Sequence, residues 1–275
     1  ISACLVGSEM CIRDRFYTLL LAGLIVSNPC YAIKIGLQTG VDRIGVGSSN
    51  ATSLIDANSN KTICKLDAMK GYEIVPYKNT MAIRLNGKFY QIYSDNIVLK
   101  PASGGFISAK NKWYRGYLII QNRDKKLTVI NNVDMEDYLK GVVPNEMPVS
   151  FGLEALKAQT VAARNYVLSP RVKSSPNYDV VDSVASQVYF GANTERELSN
   201  QAVTETEGIV ALYGWDLILA QYSSTAGGYT ESYSNAFSDP NTKDFPSQEK
   251  PYLKAKPDIL SQTPLNTEEA AAAYY

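Results

Sequence analysis

Apolar positions along the chain follow two periods in succession. Between 33 and 130 they alternate: Ile33, Ile35 and Leu37 are separated by Lys34 and Gly36, and Met81, Ile83 and Leu85 by Ala82 and Arg84. A period of two puts successive side chains on opposite faces, so each run predicts a half-buried β-strand. Asn86 and Gly87 then lead into a further β-like run at 88–93. Asn-Gly supplies the two positive φ angles of a type I′ turn, which predicts a hairpin. Runs at 117–120 and 127–130 flank a polar turn at 121–126 and predict another.

From 134 the period lengthens. Asp134 can cap a short helix ending at Gly141, with Glu136 and Asp137 in the first turn where the helix dipole favours acids. Ser150 can cap a long helix at 151–168, whose Leu153, Leu156, Thr160, Ala163 and Val167 form one buried stripe. Ala155, Ala158 and Ala162 let a neighbour approach closely. Thr194 and Glu197 have capping-box spacing and open a helix that Gly208 would stop. Runs at 209–213 and 217–222 read as a hairpin around Gly214 and Trp215, followed by a loop at 223–228. The expected fold is α+β, with a β-rich N-terminal region (33–130) packed beside a mixed α/β domain (131–275).

Composition narrows the functional classes. The 275 residues are 45% hydrophobic and 20% charged, enough for one or two domains with a real core. Lys+Arg and Asp+Glu both number 27, so no net field favours nucleic acid or an anionic membrane. The sequence has no histidine, which rules out Ser-His-Asp and Cys-His catalysis and every metal site that needs imidazole. No cofactor and no metal are expected.

The termini read differently from the fold. Residues 1–15 resemble translated adaptor sequence and read as an artefactual leader. Residues 16–32 read as a signal peptide: Arg13 and Arg15 precede a short apolar run at 16–26, and Ala32 is a small residue at a cleavage position. Export follows, to the periplasm, the cell wall or the extracellular space, with no transmembrane anchor in the mature protein. Of Cys4, Cys11, Cys30 and Cys64 only Cys64 would remain, so packing rather than a disulfide must hold the domain. Thr267, Glu268, Glu269 and Ala270 read as a helix start close to the last residue, as in a sequence truncated at its C-terminus.

The strongest candidate for chemistry is Glu146, set between Pro144 and Pro148. Proline disfavours the α region in the residue before it, so Val143 and Met147 are biased to extended geometry. A stiff segment before a helix can present a catalytic acid, or simply carry an exposed glutamate. Val142, Val143 and Met147 would give it an apolar surround that raises its pKa. Lys157 and Arg164 lie two turns apart on one helix face. Lys157 suits an i,i+3 pair with Glu154 better than a substrate contact, whereas Arg164, among the last apolar turns, suits a buried or cleft position.

The run VDMEDYLKGVVPNEMP followed by LEALKAQTVAAR, with SQVYFG at 186–191, QYSSTAGGYTE at 221–231 and Tyr114, Arg115 and Gly116 upstream, resembles the stage II sporulation protein D / amidase-enhancer (SpoIID/LytB) family. The resemblance covers 110–258 and, weakly, the region from 33. It implies a glycan-binding cleft and a lytic transglycosylase acting on peptidoglycan glycan strands, with Glu146 as the acid. It also implies substrate contacts from Lys157, Arg164, Gln187, Tyr189, Tyr222, Ser223, Ser224, Gly227 and Gly228. Gln187 and Tyr189 could equally form a packed strand end, and the loop at 223–228 a plain turn. Asn165 stands where relatives often have threonine, and Ala236 and Phe237 where they commonly show tryptophan. Zinc, attributed to some relatives, is not expected without its ligands. The other function the family allows is a non-catalytic wall-binding module that stimulates an N-acetylmuramoyl-L-alanine amidase, which would make a cell-wall amidase a partner.

Overall fold

The computed structural model describes residues 10–13, 31–169, 172–224, 226–239 and 242–257. The apolar run at 16–26 and the helix start at 267–270 lie outside them. The fold is mixed α+β, with sixteen strands and five α-helices among the described residues.

Two antiparallel sheets dominate the first half. The strands are β1 (Met10–Arg13), β2 (Ala32–Val41), β3 (Ile44–Ser48), β4 (Thr52–Asp56), β5 (Lys61–Leu66), β6 (Gly71–Tyr77), β7 (Thr80–Leu85), β8 (Lys88–Ile92), β9 (Asn96–Pro101), β10 (Ile107–Ala109), β11 (Lys112–Tyr114), β12 (Tyr117–Arg123) and β13 (Lys126–Asp134). A later two-residue strand, β14 (Val180–Val181), joins the edge of β2 in parallel. The larger sheet runs β14-β2-β13-β12-β9-β4-β5 and the smaller β11-β10-β3-β6-β7-β8.

The predicted alternation is met where it was clearest. Ile33 and Ile35 on β2 are buried while Lys34 is exposed. Asn86 and Gly87 both take positive φ (49° and 81°) and close the β7–β8 hairpin. The β12–β13 hairpin is tighter than predicted: its strands run on to Arg123 and Lys126, and Asp124 and Lys125 make the turn at positive φ. Inner faces of both sheets meet in one core. Ile35, Leu54, Ile97, Leu99, Leu118 and Ile120 from the larger sheet join Val46, Ile74, Met81, Ile83 and Ile107 from the smaller. That core continues into Tyr138, Leu139, Val142, Leu156, Ala163 and Val203 of the helical part, and β13 itself crosses residue 130.

The helices are α1 (Met135–Lys140), α2 (Val143–Glu146), α3 (Leu153–Leu168), α4 (Glu197–Glu205) and α5 (Tyr233–Ala236). Asp134 caps α1 as predicted, its side chain accepting the Glu136 N–H at 2.9 Å. Two other cap predictions need correction. Val149–Phe151 form a 3₁₀ turn, so α3 starts at Leu153 behind Gly152, whose φ of 88° suits a residue without Cβ. Thr194 closes a 3₁₀ turn and Glu195 turns to Arg115, so α4 starts at Glu197 without a side-chain cap. On α3 the predicted stripe is buried at Leu156, Thr160, Ala163 and Val167, and Leu153 packs against the same core. The hairpin predicted around Gly214 exists, but its return strand is short: β15 (Val210–Tyr213) pairs with β16 (Asp216–Leu217), and β1 lies along the other side of β15.

Candidate functional site

Glu146 is the last residue of α2, and its position follows from the joints on either side. Val143 is helical, contrary to the expected extended geometry: Pro144 sits in the first turn, where a missing N–H costs nothing. Met147 is extended as expected (φ −138°, ψ 129°), and its buried side chain anchors the exit from the turn. Asn145 ties α2 down, donating to the Gly141 carbonyl (2.7 Å) and to Thr194 Oγ1 (2.9 Å). At Gly141 a Cβ would come within 2.6 Å of the Tyr189 ring and 2.9 Å of the Gly191 carbonyl. Glycine there lets the 188–191 segment press against the α1–α2 joint, which brings the Val188 N–H to Glu146 Oε1 at 2.6 Å.

That bond is the single polar contact of the Glu146 carboxyl among the described residues; Oε2 has no hydrogen-bond partner and no cation forms an ion pair with the group. Burial pushes the Glu146 carboxyl above the ordinary carboxylate range, and the Val188 N–H opposes this in part. The groups that sense its charge are tyrosines. Burial first, and then the nearby Glu146 carboxylate, raise the pKa of Tyr166 and Tyr222. Tyr138, fully buried, is raised in the same way, with Glu146 among the contributors. Tyr166 and Tyr222 meet edge to face with centroids 6.3 Å apart. The site is a half-buried carboxyl in a tyrosine-lined setting.

The other predicted residues separate into those joined to this setting and those serving the frame. Gln187 is fully buried and joins it: Tyr138 donates to its Oε1 (3.0 Å), and its Nε2 donates to the Ala163 carbonyl (3.3 Å) and to the Tyr222 hydroxyl (2.9 Å). Tyr189 is not placed to cover a sugar ring. It is 1% exposed, packed between Tyr114 and Tyr138, and donates to Asn131 Oδ1 at 2.8 Å, so the packed alternative holds.

Arg164 is 2% exposed, and its guanidinium grips both Glu136 oxygens (3.0 and 2.5 Å) and the Ile209 carbonyl (3.0 Å). It binds α1, α3 and the approach to β15 together, rather than reaching out to a ligand. Asn165 beside it donates to the carbonyls of Ala211 and Ile218 and accepts the Ala211 N–H. Lys157 pairs with Glu154 (2.8 Å), as its spacing suggests, and with Glu205 of α4 (2.7 Å). In the loop after Tyr222, Ser223 and Ser224 are exposed, and Gly227 and Gly228 take φ of 63° and 96°. A Cβ on either glycine would meet nothing within 4 Å, so conformation and not crowding calls for glycine there.

Sequence reasoning missed Tyr138, Tyr166 and the Val188 N–H. Tyr166 lies three residues after Ala163, in phase with the apolar stripe, and so reads as core. A backbone donor leaves no residue-type signal at all.

Two concavities lie elsewhere. A basin of about 690 Å³ on the smaller sheet is lined by residues including Gly45, Gly71, Arg84 and Trp113, and a hollow of about 230 Å³ lies beside Arg115 and Asp137. Neither includes Glu146. Among the described residues no group of three or more Cys, Asp or Glu side chains clusters as a metal site, and no helix is long and apolar enough to cross a membrane.

Residues 123–213 match the model of the SpoIID family, described as Stage II sporulation protein. That stretch contains Glu146, Lys157, Arg164, Gln187 and Tyr189. This match and the relatives that follow support the SpoIID/LytB family, as the motifs imply. Over 120 residues it is 46% identical to the amidase enhancer of Bacillus subtilis, covering 44% of this chain and 15% of that protein. Over 142 residues it is 34% identical to stage II sporulation protein D of Bacillus subtilis, covering 46% and 39%. Over 174 residues it is 31% identical to an uncharacterized protein of Brachyspira hyodysenteriae, covering 62% and 46%. The matched region thus spans less than half the length of each relative.

Proposed function

We propose that this chain acts on the bacterial cell wall as a lytic transglycosylase, cleaving the bond between N-acetylmuramic acid and N-acetylglucosamine in peptidoglycan glycan strands. The observation that carries the reading is the state of Glu146. Its carboxyl is half-buried, has no cation partner, is tethered through one oxygen only, and is shifted toward the protonated form.

The chemistry needs one such group. The neutral acid gives its proton to the glycosidic oxygen as the C1–O bond breaks. The resulting carboxylate then takes the proton of the muramoyl 6-hydroxyl as that oxygen bonds to C1, which yields a 1,6-anhydro end and restores the acid. No water is activated, so the second carboxylate of ordinary glycosidases has no task here. The signal-type segment at 16–32 fits a substrate outside the cytoplasmic membrane.

The test is mass spectrometry of purified glycan strands digested by the protein, looking for 1,6-anhydro ends that Glu146→Gln no longer produces. A second reading draws on the similarity to an amidase enhancer. If both proteins raise the activity of an N-acetylmuramoyl-L-alanine amidase equally and neither yields anhydro ends, the domain is a wall-binding stimulator.

A further inference from the structure

Gln187 is the one buried side chain that connects the tyrosines around Glu146, and its bonding can be oriented without ambiguity. A backbone carbonyl only accepts, so the side-chain atom facing the Ala163 carbonyl must be Nε2. This leaves Oε1 to accept from Tyr138, whose phenol is buried and has that bond as its described partner. The second proton of Nε2 then goes to the Tyr222 oxygen. Tyr222 is an acceptor toward Gln187, so its own proton must point elsewhere. No described residue accepts it. Burial raises the pKa of the phenol and keeps it protonated.

We propose that Gln187 is a positioning residue that fixes the Tyr222 hydroxyl as a hydrogen-bond donor to an oxygen of the glycan lying beside Glu146. The proposal rests on the reading of this site as a glycan site and goes beyond it. Gln187 is fully buried and does not itself meet the sugar; Tyr222, half-buried at the start of the exposed loop, does. A hydroxyl with a free choice would spend part of its time accepting from a sugar O–H and part donating. With one acceptor position engaged by Gln187 and its proton directed away from it, the hydroxyl is biased towards donating, which favours an acceptor such as an acetamido carbonyl or a glycosidic oxygen.

A double-mutant cycle tests the coupling. Tyr222→Phe removes the donor; Gln187→Met, of similar volume, removes the group that orients it. Both are made in wild type and in Glu146→Gln, and binding of a GlcNAc–MurNAc tetrasaccharide is measured in the second background, where turnover is suppressed. A neutral hydrogen bond of ordinary strength predicts that Tyr222→Phe weakens binding about tenfold. Gln187→Met should weaken it by a few-fold when Tyr222 is present and have almost no further effect in Tyr222→Phe. A merely structural Gln187 would cost the same in both backgrounds. Tyr138→Phe serves as a milder second probe, since it frees Gln187 without placing a new side chain at 187; it too should matter only while Tyr222 keeps its hydroxyl. Multiplying effects, or no effect of Tyr222→Phe, would overturn the proposal. Failure to form anhydro ends in wild type would instead remove the reaction assigned above, while the binding cycle would still report whether Gln187 directs Tyr222.

Discussion

Two half-buried glutamates of this domain have opposite acidities, and the difference lies in their partners. Glu195 faces Arg115, which reaches both its oxygens (2.7 and 2.9 Å), and Asn200 adds a third bond at 3.1 Å. Burial by itself would raise its pKa, but the Arg115 bonds and charge outweigh burial and hold the carboxyl below its ordinary range. Glu146 is also withdrawn from water, yet it receives one backbone N–H and no cation, so burial wins and its pKa rises. The first arrangement makes a permanent anion that ties the 3₁₀ turn and α4 to the sheet. The second favours the protonated form, the state that the reaction proposed above requires. Partial burial alone therefore does not set the direction of the shift; the presence or absence of a compensating charge does.

The most severe way to break this contrast is to remove the transferable proton. Glu146→Gln keeps shape and can still accept the Val188 N–H, so the fold should persist. Loss of a general acid costs about 10²–10⁴-fold in rate. Release of 1,6-anhydro ends from purified strands should fall by that factor, whereas Glu154→Gln, on an 84% exposed side chain, should fall by far less.

The contrast sharpens with a third carboxylate, one whose cation is buried outright. Glu136 meets an Arg164 that is 2% exposed. Removing one partner of a buried pair leaves the other uncompensated and costs about 3–5 kcal/mol. Because Glu136 retains some solvent contact, Arg164→Met should fall near the lower end, read as a reduced midpoint in urea unfolding. If Arg164 instead touched the glycan, the same variant would keep its stability and lose binding.

How much of this was legible in the sequence depends on the kind of signal. Alternation at the start of β2, Asn86-Gly87 and the Asp134 cap are local: neighbouring residues decide them, and the structure follows; in β7 Ala82 is buried along with Met81 and Ile83. Glu146 was singled out as a candidate through its flanking prolines and the family motif, though the prolines misled at Val143, which is helical. Arg164 was readable as buried, but its partner was not, because Glu136 lies 28 residues away and only the packing of α1 on α3 joins them. The Ser150 and Thr194 caps failed as well. Both residues have cap chemistry, but each falls within a 3₁₀ turn, and the helices start beyond it at Leu153 and Glu197. The tyrosine setting was the least legible: Tyr222 was named through the family motif, but Tyr138 and Tyr166 come from distant segments and look like ordinary core residues in each.

A milder perturbation acts on the other side of the comparison. Glu195→Gln keeps the volume but replaces two charge-assisted bonds with weaker ones. With Arg115 about one-third exposed and partly screened, the cost should be about 1–2 kcal/mol at neutral pH. Its pH dependence has a definite sign. A carboxyl whose folded pKa is depressed stabilises the fold above the unfolded value, about 4.3, and loses that contribution as pH falls through the folded value. The gap between wild type and Glu195→Gln, followed by thermal unfolding, should therefore narrow on acidification.

Glu146→Gln should show the opposite sign, and this is the smallest and most discriminating effect. A carboxyl whose folded pKa is raised is at its most favourable below the unfolded value of about 4.3, and that advantage is lost as pH rises through the folded value. At neutral pH the native protein therefore holds Glu146 in a setting less welcoming to its charge than the unfolded chain is. Glutamine carries no charge and keeps the acceptor for the Val188 N–H. The inactive variant should accordingly melt at the same temperature as wild type near pH 4 and somewhat above it at pH 7. A variant that is less stable than wild type at pH 7, with a gap that closes in acid as for Glu195→Gln, would mean that the Glu146 anion is stabilised in the native state. In that event the carboxyl would be a structural anion, and its assignment as the proton donor would fail even if the substitution abolished cleavage.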